Sequence, residues 1–485
     1  MAESSLTITI FLDSMIILHK SVIGNHSRLT PLTSHLIPKM EYPNTRLTRP
    51  IRRAILGLFI ASFFIISPLI VMYTQGYRYD WQNGRRREIG AVSIDVEPID
   101  ANANLGGVEI KSGMPIRLNN ITPRKYHLKI SASGYYDWNK DIEVQNKQTV
   151  YIKEIGLLKK NNPQIITTTT VDDLYLSSDS ALLAGVNGRQ VMIFNTQNNS
   201  MTKIFSDKKT ESLAVAWSKK GHRLLITDKV APFDTAMIID ADNFSKKIDL
   251  TTESAPITKI QWSDDDSGII YYSTEKEIRS LNPITGNSAR VATNKYVDWY
   301  MEGGALWTMQ TASNTQNLRI VKDTAGFASD LSIIDTEVLP ADFNNLSIVT
   351  GARGQILLKN ASQSLMYLVA PQGTYKIAAN DYLISPYNNW WLFWTPWELI
   401  TYSEGGEPML LNRSGEGLKQ VVPLDKYNTL ALSWNKNTTA LFPYYLVTDE
   451  LIKSAVRSFE ADSVNHILYF SGKYGDSDGV WKLNY

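Results

Sequence analysis

Cysteine is absent from this chain, so proton transfer and metal binding would fall to six histidines, His19, His26, His35, His127, His222 and His466, and to the 48 carboxylates. No two histidines stand four apart with Glu between them, the spacing that sets two imidazoles on one helical face around zinc. Without cysteine there is neither a thiolate nucleophile nor a thiolate zinc site. Gly475-Asp476-Ser477-Asp478-Gly479 matches Gly-x-Ser-x-Gly in its letters but reads as an acidic hairpin turn, and no Gly-rich loop ending in Lys-Ser/Thr occurs, which counts against a P-loop enzyme. The residues therefore predict no catalytic set and no cofactor. A site assembled from distant loops, such as two converging carboxylates acting on a glycan, stays open.

Two acidic turns have oxygen ligands at alternating positions. They are Asp264-Asp265-Asp266-Ser267-Gly268 and Gly475-Asp476-Ser477-Asp478-Gly479. Neither carries the bidentate Glu of an EF-hand, and Asp, Ser and Gly are also ordinary hairpin residues. Asp476 and Asp478 are the calcium candidates. The densest aromatic stretch is Tyr387-Asn388-Asn389-Trp390-Trp391-Leu392-Phe393-Trp394-Thr395-Pro396-Trp397. Strand alternation sets Trp391 and Phe393 on one side and Trp390, Leu392 and Trp394 on the other, as a sheet buried on both faces requires. Tyr387 and Trp397 flank that strand and are the candidate ligand-binding residues, with rings suited to a sugar or a partner protein.

What positions these groups starts with Ala54 to Tyr73, AILGLFIASFFIISPLIVMY, an uncharged stretch long enough for one transmembrane helix. It exceeds the roughly 7 to 15 apolar residues of a signal peptide, and no small-residue cleavage site follows. Pro68 sits near its end, where a lost hydrogen bond costs least. Lys39, Arg46, Arg49, Arg52 and Arg53 lie on the N-terminal flank, against Arg78, Arg85, Arg86 and Arg87 beyond the span, nearly a tie in which the N-terminal arginines stand closest to the apolar run. Because long domains cross largely regardless of charge, the near flank predicts a cytoplasmic N-terminus and an extracytoplasmic bulk. The Arg85 to Arg87 cluster reads as a solvated linker or a headgroup contact. Leu6 to Leu18 is too short to span and is broken by Asp13; Met40, just ahead of the basic run, is the expected start of translation.

From Ile89 to Leu158 the apolar residues alternate: Val92, Ile94 and Val96, then Tyr126, Leu128 and Ile130, then Ile142 and Val144, then Val150, Ile152 and Ile155. Short alternating runs between Gly, Pro and Asn turns predict antiparallel strands of a small sandwich. The residue order resembles the PEGA family of surface-associated β-domains. The matching elements are Gly90 to Ile94, Pro98-Ile99-Asp100-Ala101 at the place of the namesake tetrapeptide, Ser112 to Pro115, Ile121 to Tyr126, and Gly134-Tyr135-Tyr136-Asp137-Trp138. The resemblance implies a spacer or adhesive module of a cell-envelope protein.

Beyond Asn161 a longer period takes over. Ala214-Val215-Ala216-Trp217-Ser218 and Ile260-Gln261-Trp262-Ser263 each lead through a polar turn into an apolar strand, and weaker copies start at Leu174, Val297, Asn388 and Leu432. Repeats of about 40 to 45 residues carrying several short strands mean a β-propeller, because one blade cannot bury both of its faces alone. The length supports about seven blades, with six or eight open, and Gly479 to Tyr485 is expected to pair into the first blade. Trp217, Trp262, Trp299, Trp307 and Trp434 read as packing between blades. The Trp-Ser turn resembles the repeats of periplasmic TolB-like proteins. Gly221-His222 comes after its Trp, the reverse of the WD40 order, and reads as a turn.

The expected fold is all-β, a small PEGA-like β-sandwich plus an about seven-bladed β-propeller, with one N-terminal transmembrane helix. The expected domains are 1–53 as an N-terminal cytoplasmic segment, 54–73 the membrane helix, 74–88 a linker, 89–160 the sandwich and 161–485 the propeller. Lys+Arg 49 against Asp+Glu 48 gives no electrostatic reason to expect nucleic acid. A cysteine-free chain of this kind fits a bacterial or archaeal surface. The expected function is a membrane-anchored extracytoplasmic binding or scaffold protein whose partner is an envelope protein or glycan. An envelope enzyme acting on glycans and a cytoplasm-facing scaffold of inverted topology are the alternatives.

Overall fold

In a computed structural model of the chain, the described residues are 48–74, 77–80, 85–111, 113–206, 212–251, 255–311, 318–324, 327–334, 345–360, 362–403 and 407–485. Met40, the run Leu6 to Leu18 and Arg46 lie outside them. The apolar stretch forms one helix, Arg49–Thr74, longer than expected by about a turn at its start. Pro50–Thr74 is long and apolar enough to cross a membrane, and none of it is buried. The 74–88 linker contains a two-stranded antiparallel hairpin, Tyr77–Asp80 with Arg85–Glu88. The side chains of Arg85 to Arg87 lie outside the described residues.

The small β-domain consists of two sheets. One has three strands, with Gly90–Glu97 between Ile116–Ile121 and Thr149–Gly156; the other has four, in the order Val108–Ile110, Asn102–Leu105, Arg124–Ser131, Trp138–Val144. Alternation buries Val92, Ile94 and Val96 against Leu128, Ile130, Trp138 and Ile142. One pairing departs from the antiparallel expectation: Gly90–Glu97 and Thr149–Gly156 run parallel. Period-two alternation says which face a residue takes and nothing about strand direction.

Among the described residues, eight four-stranded antiparallel sheets then follow one another, numbered here as blades 1 to 8. Their first strands are Asp173–Leu176, Leu213–Trp217, Lys259–Trp262, Asp298–Glu302, Leu346–Ala352, Asp381–Ile384, Gln420–Pro423 and Val456–Asp462. An apolar core lies between each pair of neighbours. Leu213 and Ile226 of blade 2 meet Ala184 and Ile193 of blade 1, and so on round to Tyr469 and Val480 of blade 8 against Leu174 and Phe194 of blade 1. That last core closes the ring.

Three strands of blade 8 come from the C-terminal end of the chain, and its outer strand is Gln164–Thr167, paired with Ser477–Asn484. The last strand thus meets the first, as expected, but inside the last blade. The eighth blade, at the upper limit of the expected six to eight, reflects Leu346 to Ala378, whose four strands lack any Trp-Ser turn to announce them.

Candidate binding faces of the propeller

Strand direction divides the turns between two faces. Turns from second to third strands, with the links between blades, make the upper face; turns from first to second and from third to fourth strands make the lower face. The two aromatic candidates part company here. Tyr387 lies between Asp381–Ile384 and Trp391–Trp394, on the lower face, whereas Trp397 lies between Trp391–Trp394 and Glu398–Tyr402, on the upper face. One surface around both residues is therefore not formed. Trp397 is 58% exposed, and its own carbonyl accepts from Ser414 N at 2.9 Å. Tyr387 donates its hydroxyl to Ser463 Oγ of blade 8, reaching across blade 7. Between them, Trp391 stacks on Phe393 in the core shared with blade 5, while Leu392 and Trp394 join the core shared with blade 7.

The calcium candidates sit on the upper face of blade 8. Both carboxylate oxygens of Asp478 are taken by Arg457, with Nη2 to Oδ1 at 2.6 Å and Nη1 to Oδ2 at 3.1 Å. The guanidinium hydrogen bonds hold that carboxyl below its usual range. Asp478 thus has a partner that a cation would have to displace. Among the described residues, no three His, Cys, Asp or Glu side chains form a group able to hold a metal. In the other acidic turn, Asp264 accepts from Gly303 N at 2.8 and 3.0 Å and so ties blade 3 to blade 4.

A recurrence that the sequence reading missed marks the upper face. Asp173, Asp298 and Asp381 each open a first strand, in blades 1, 4 and 6, and each is followed by a large side chain: Asp-Leu-Tyr, Asp-Trp-Tyr, Asp-Tyr-Leu. A lysine from a neighbouring blade approaches each one. Lys229 Nζ of blade 2 donates to Asp173 at 2.9 Å, Lys259 of blade 3 to both oxygens of Asp298 at 2.8 and 3.0 Å, and Lys359 of blade 5 to the carbonyl of Asn380, beside Asp381.

The Asp298 carboxylate also accepts from Trp299 N at 2.8 Å and Ile348 N at 2.6 Å, and Lys259 completes its donors on Ile348 O at 2.8 Å. Burial pulls the Lys259 ammonium below its usual range while Asp298 opposes the shift. Burial likewise raises the Asp381 carboxyl, against the pull of Tyr382 N and Lys359. Beside the Lys259 to Asp298 pair opens a pocket of about 430 Å³, lined by residues of blades 3, 4 and 5 that include Thr258, Asn294 and Tyr296. Pockets of this size suit a small polar group or a partner's side chain.

The small β-domain joins the propeller at blades 7 and 8. Trp138, fully buried, stands edge-on to Tyr445 at 5.3 Å and 84°. Tyr445 Oη accepts from Lys153 N at 2.8 Å and donates to Lys153 O at 2.7 Å, and Lys140 Nζ donates to the Tyr445 carbonyl. Leu446, next along the turn, is held at φ 53°, in the left-handed region that costs a branched side chain on the order of 1 kcal/mol. Nearby, Lys426 Nζ meets Glu97 at 2.9 Å, and that hydrogen bond lowers the Glu97 carboxyl. Apolar residues of both domains merge into one core that includes Ile155, Leu158, Phe442, Leu451 and Tyr485. A cleft of about 750 Å³ remains at the junction, lined by Pro98, Ile99, Tyr135, His466 and Tyr485 among others.

The repeats themselves are explained by indole hydrogen bonds. Trp217 Nε1 of blade 2 donates to Tyr175 O of blade 1, and Trp262 Nε1 of blade 3 donates to Ala216 O of blade 2, both at 2.8 Å. Trp434 has a different place, in the turn after the second strand of blade 7, where it donates to Thr439 Oγ1 at 2.9 Å. Amides add to the stitching between first strands. Gln261 exchanges two hydrogen bonds with Met301, and Gln420 does the same with Phe459.

The family model of the PEGA domain matches residues 89–155. No curated protein matches the chain. Among solved structures, the β-propeller domain of Myceliophteria thermophila Cps50 (Swd1) is similar at 10% identity and a TM-score of 0.37, over 67% of this chain and 98% of that one. Porphyromonas gingivalis dipeptidyl peptidase 4 is similar at 9% identity and a TM-score of 0.42, over 64% of this chain and 56% of that one. The RRP9 WD40 repeats are similar at 8% identity and a TM-score of 0.41, over 67% and 97%. A PEGA domain joined to a β-propeller suggests a binding or scaffold role.

Proposed function

We propose that the chain is a membrane-anchored binding protein of the cell envelope. In this reading Arg49–Thr74 spans the membrane with the N-terminus cytoplasmic, the bulk is extracytoplasmic, and the upper face of the propeller receives an envelope protein or glycan. The observation that carries it is the junction at blades 7 and 8: the PEGA domain is fixed there by a shared core, and the described contacts leave the upper face of blades 1 to 6 to other partners. Trp397 and the pocket beside Lys259 and Asp298 are that face's recognition features, an exposed ring and a polar recess. The charged groups around the recess are paired across blades, which suits recognition of a polar surface. The Trp-Ser turns, with their TolB-like resemblance, agree with an envelope location.

The test is capture. The full chain in detergent serves as bait in envelope extract, with protein and glycan fractions assayed separately, beside a Trp397→Ala bait. Retention of one species by the first bait and its weakening with the second is the expected result. Equal retention by both baits would remove the upper face from the proposal. Protease treatment of intact cells reads the topology, and protection of the propeller would overturn the extracytoplasmic placement.

A further inference from the structure

We propose that His222 is a proton-dependent fastener between blades 1 and 2 on the lower face, carried as imidazolium at neutral pH and released in alkali. The ring sits in the turn between Leu213–Trp217 and Arg223–Asp228. Its backbone is fixed from two sides: Gly221 supplies a φ of 72° just before it, and Ala241 N donates to the His222 carbonyl at 2.7 Å. Nδ1 lies 2.7 Å from Asp242 Oδ1, in the turn between the third and fourth strands of blade 2. Nε2 lies 2.8 Å from Asp179 Oδ2, in the turn between the first and second strands of blade 1.

Two carboxylates facing both ring nitrogens decide the charge. A neutral imidazole has one donor and one acceptor, so one of these contacts would set a lone pair against a carboxylate oxygen. Only the imidazolium donates to both. The acceptors are themselves held in place: Asp179 Oδ1 takes Ser177 Oγ at 2.8 Å and Ala181 N at 3.1 Å, and Asp242 N donates to Asp240 Oδ1 at 3.0 Å. Of the two lysines on the same turn, Lys219 turns away to the carbonyl of Asp264, and Lys220 is exposed. A second bond, Ser178 Oγ to Lys219 O at 2.7 Å, crosses the same seam without titrating.

The charge balance agrees with the geometry. Burial alone would lower the imidazole pKa, but hydrogen bonds to Asp242 and Asp179 outweigh it and the value is raised. Burial would raise Asp179, but His222, Ala181 N and Ser177 outweigh it and the value is lowered. The sign follows from linkage. A raised histidine pKa contributes stability that is complete below about pH 6.5 and is lost as pH climbs through the folded value; Asp179 contributes stability that is lost as pH falls through its lowered value. The seam is tightest between those limits.

The test uses the full chain in detergent with histidine rings labelled with carbon-13, and amide exchange read by mass spectrometry. His222 is expected to titrate above the ordinary histidine value. Amides of 177–182 and 240–246, corrected for intrinsic chemistry, are expected to exchange several-fold faster at pH 9 than at pH 6.5. In His222→Gln that difference disappears. Asp242→Asn, which keeps the volume and one acceptor, moves the His222 midpoint downward. A wild-type midpoint at or below the ordinary value, or a pH-dependent exchange difference that persists in His222→Gln, overturns the proposal. The wild-type titration decides even if a variant does not fold.

Discussion

Trp138 of the PEGA domain and Tyr445 of blade 7 meet edge to face, 5.3 Å apart, inside a core to which both domains contribute. The contact converts what the sequence implies to be a spacer into a part of the propeller's own packing. Its indole nitrogen has no hydrogen-bond partner, so the contact rests on ring packing and on the hydrogen bonds of Tyr445.

Removing that ring should separate the domains. Tyr445→Ala is expected to cost about 3 kcal/mol, from a deleted core aromatic and two lost hydrogen bonds, and to make the PEGA domain melt before the propeller. Tyr445→Phe keeps the ring and should cost only about 1 to 2 kcal/mol. Urea unfolding with separate probes in each domain reads both, and a single unchanged transition in Tyr445→Ala would mean the domains are not coupled through this residue.

Lys259 and Asp298 join blades 3, 4 and 5, and losing one partner strands the other. Asp298→Asn is expected to destabilise by about 3 to 5 kcal/mol, because Lys259 keeps its charge or must shed it in a buried place. Lys259→Met combined with Asp298→Leu should cost less than the sum of the two single changes. A double-mutant cycle in urea supplies the coupling energy.

Glu460, in the first strand of blade 8, is pushed up to about 8 by burial. Here the unfolded chain releases its proton near 4.5 and the folded one holds it, so stability falls as pH rises from 4.5 toward 8 and then levels. Glu460→Gln removes that loss. It should be nearly neutral at pH 4.5 and stabilising at pH 8, on the order of 4 kcal/mol. Stability curves of the two proteins that run parallel across this range would show that Glu460 titrates normally.

The helix is tested by one charge. Ile60→Lys puts an ammonium near the middle of Arg49–Thr74 and should oppose insertion by about 2.5 to 3.5 kcal/mol. Wild-type chain is expected in the detergent-extracted membrane fraction and part of the variant outside it. Wild-type chain recovered without detergent would end the anchor reading.

Element type was readable wherever burial imposes a period. Trp391 and Phe393 fall on one side of their strand and Leu392 and Trp394 on the other, as alternation requires. Blade count was harder to read, because only Trp217 and Trp262 occupy equivalent places; Leu346 to Ala378 closes its blade with aliphatic strands and has no indole to mark it. Tyr387 and Trp397 are ten residues apart yet on opposite faces, since a strand lies between their turns and which face a turn joins depends on its place in the blade. His222 read as a turn because its partners are 43 residues back and 20 ahead, and no local pattern links them. The Asp before a large side chain at three strand starts was the one available signal of the upper-face pairs.

Gln164–Thr167 leaves the ribosome long before the three strands it must join, Val456–Asp462, Ile467–Tyr474 and Ser477–Asn484. During synthesis this edge has no partner, so the growing ring stays an open arc with one raw side until more than three hundred further residues have been added.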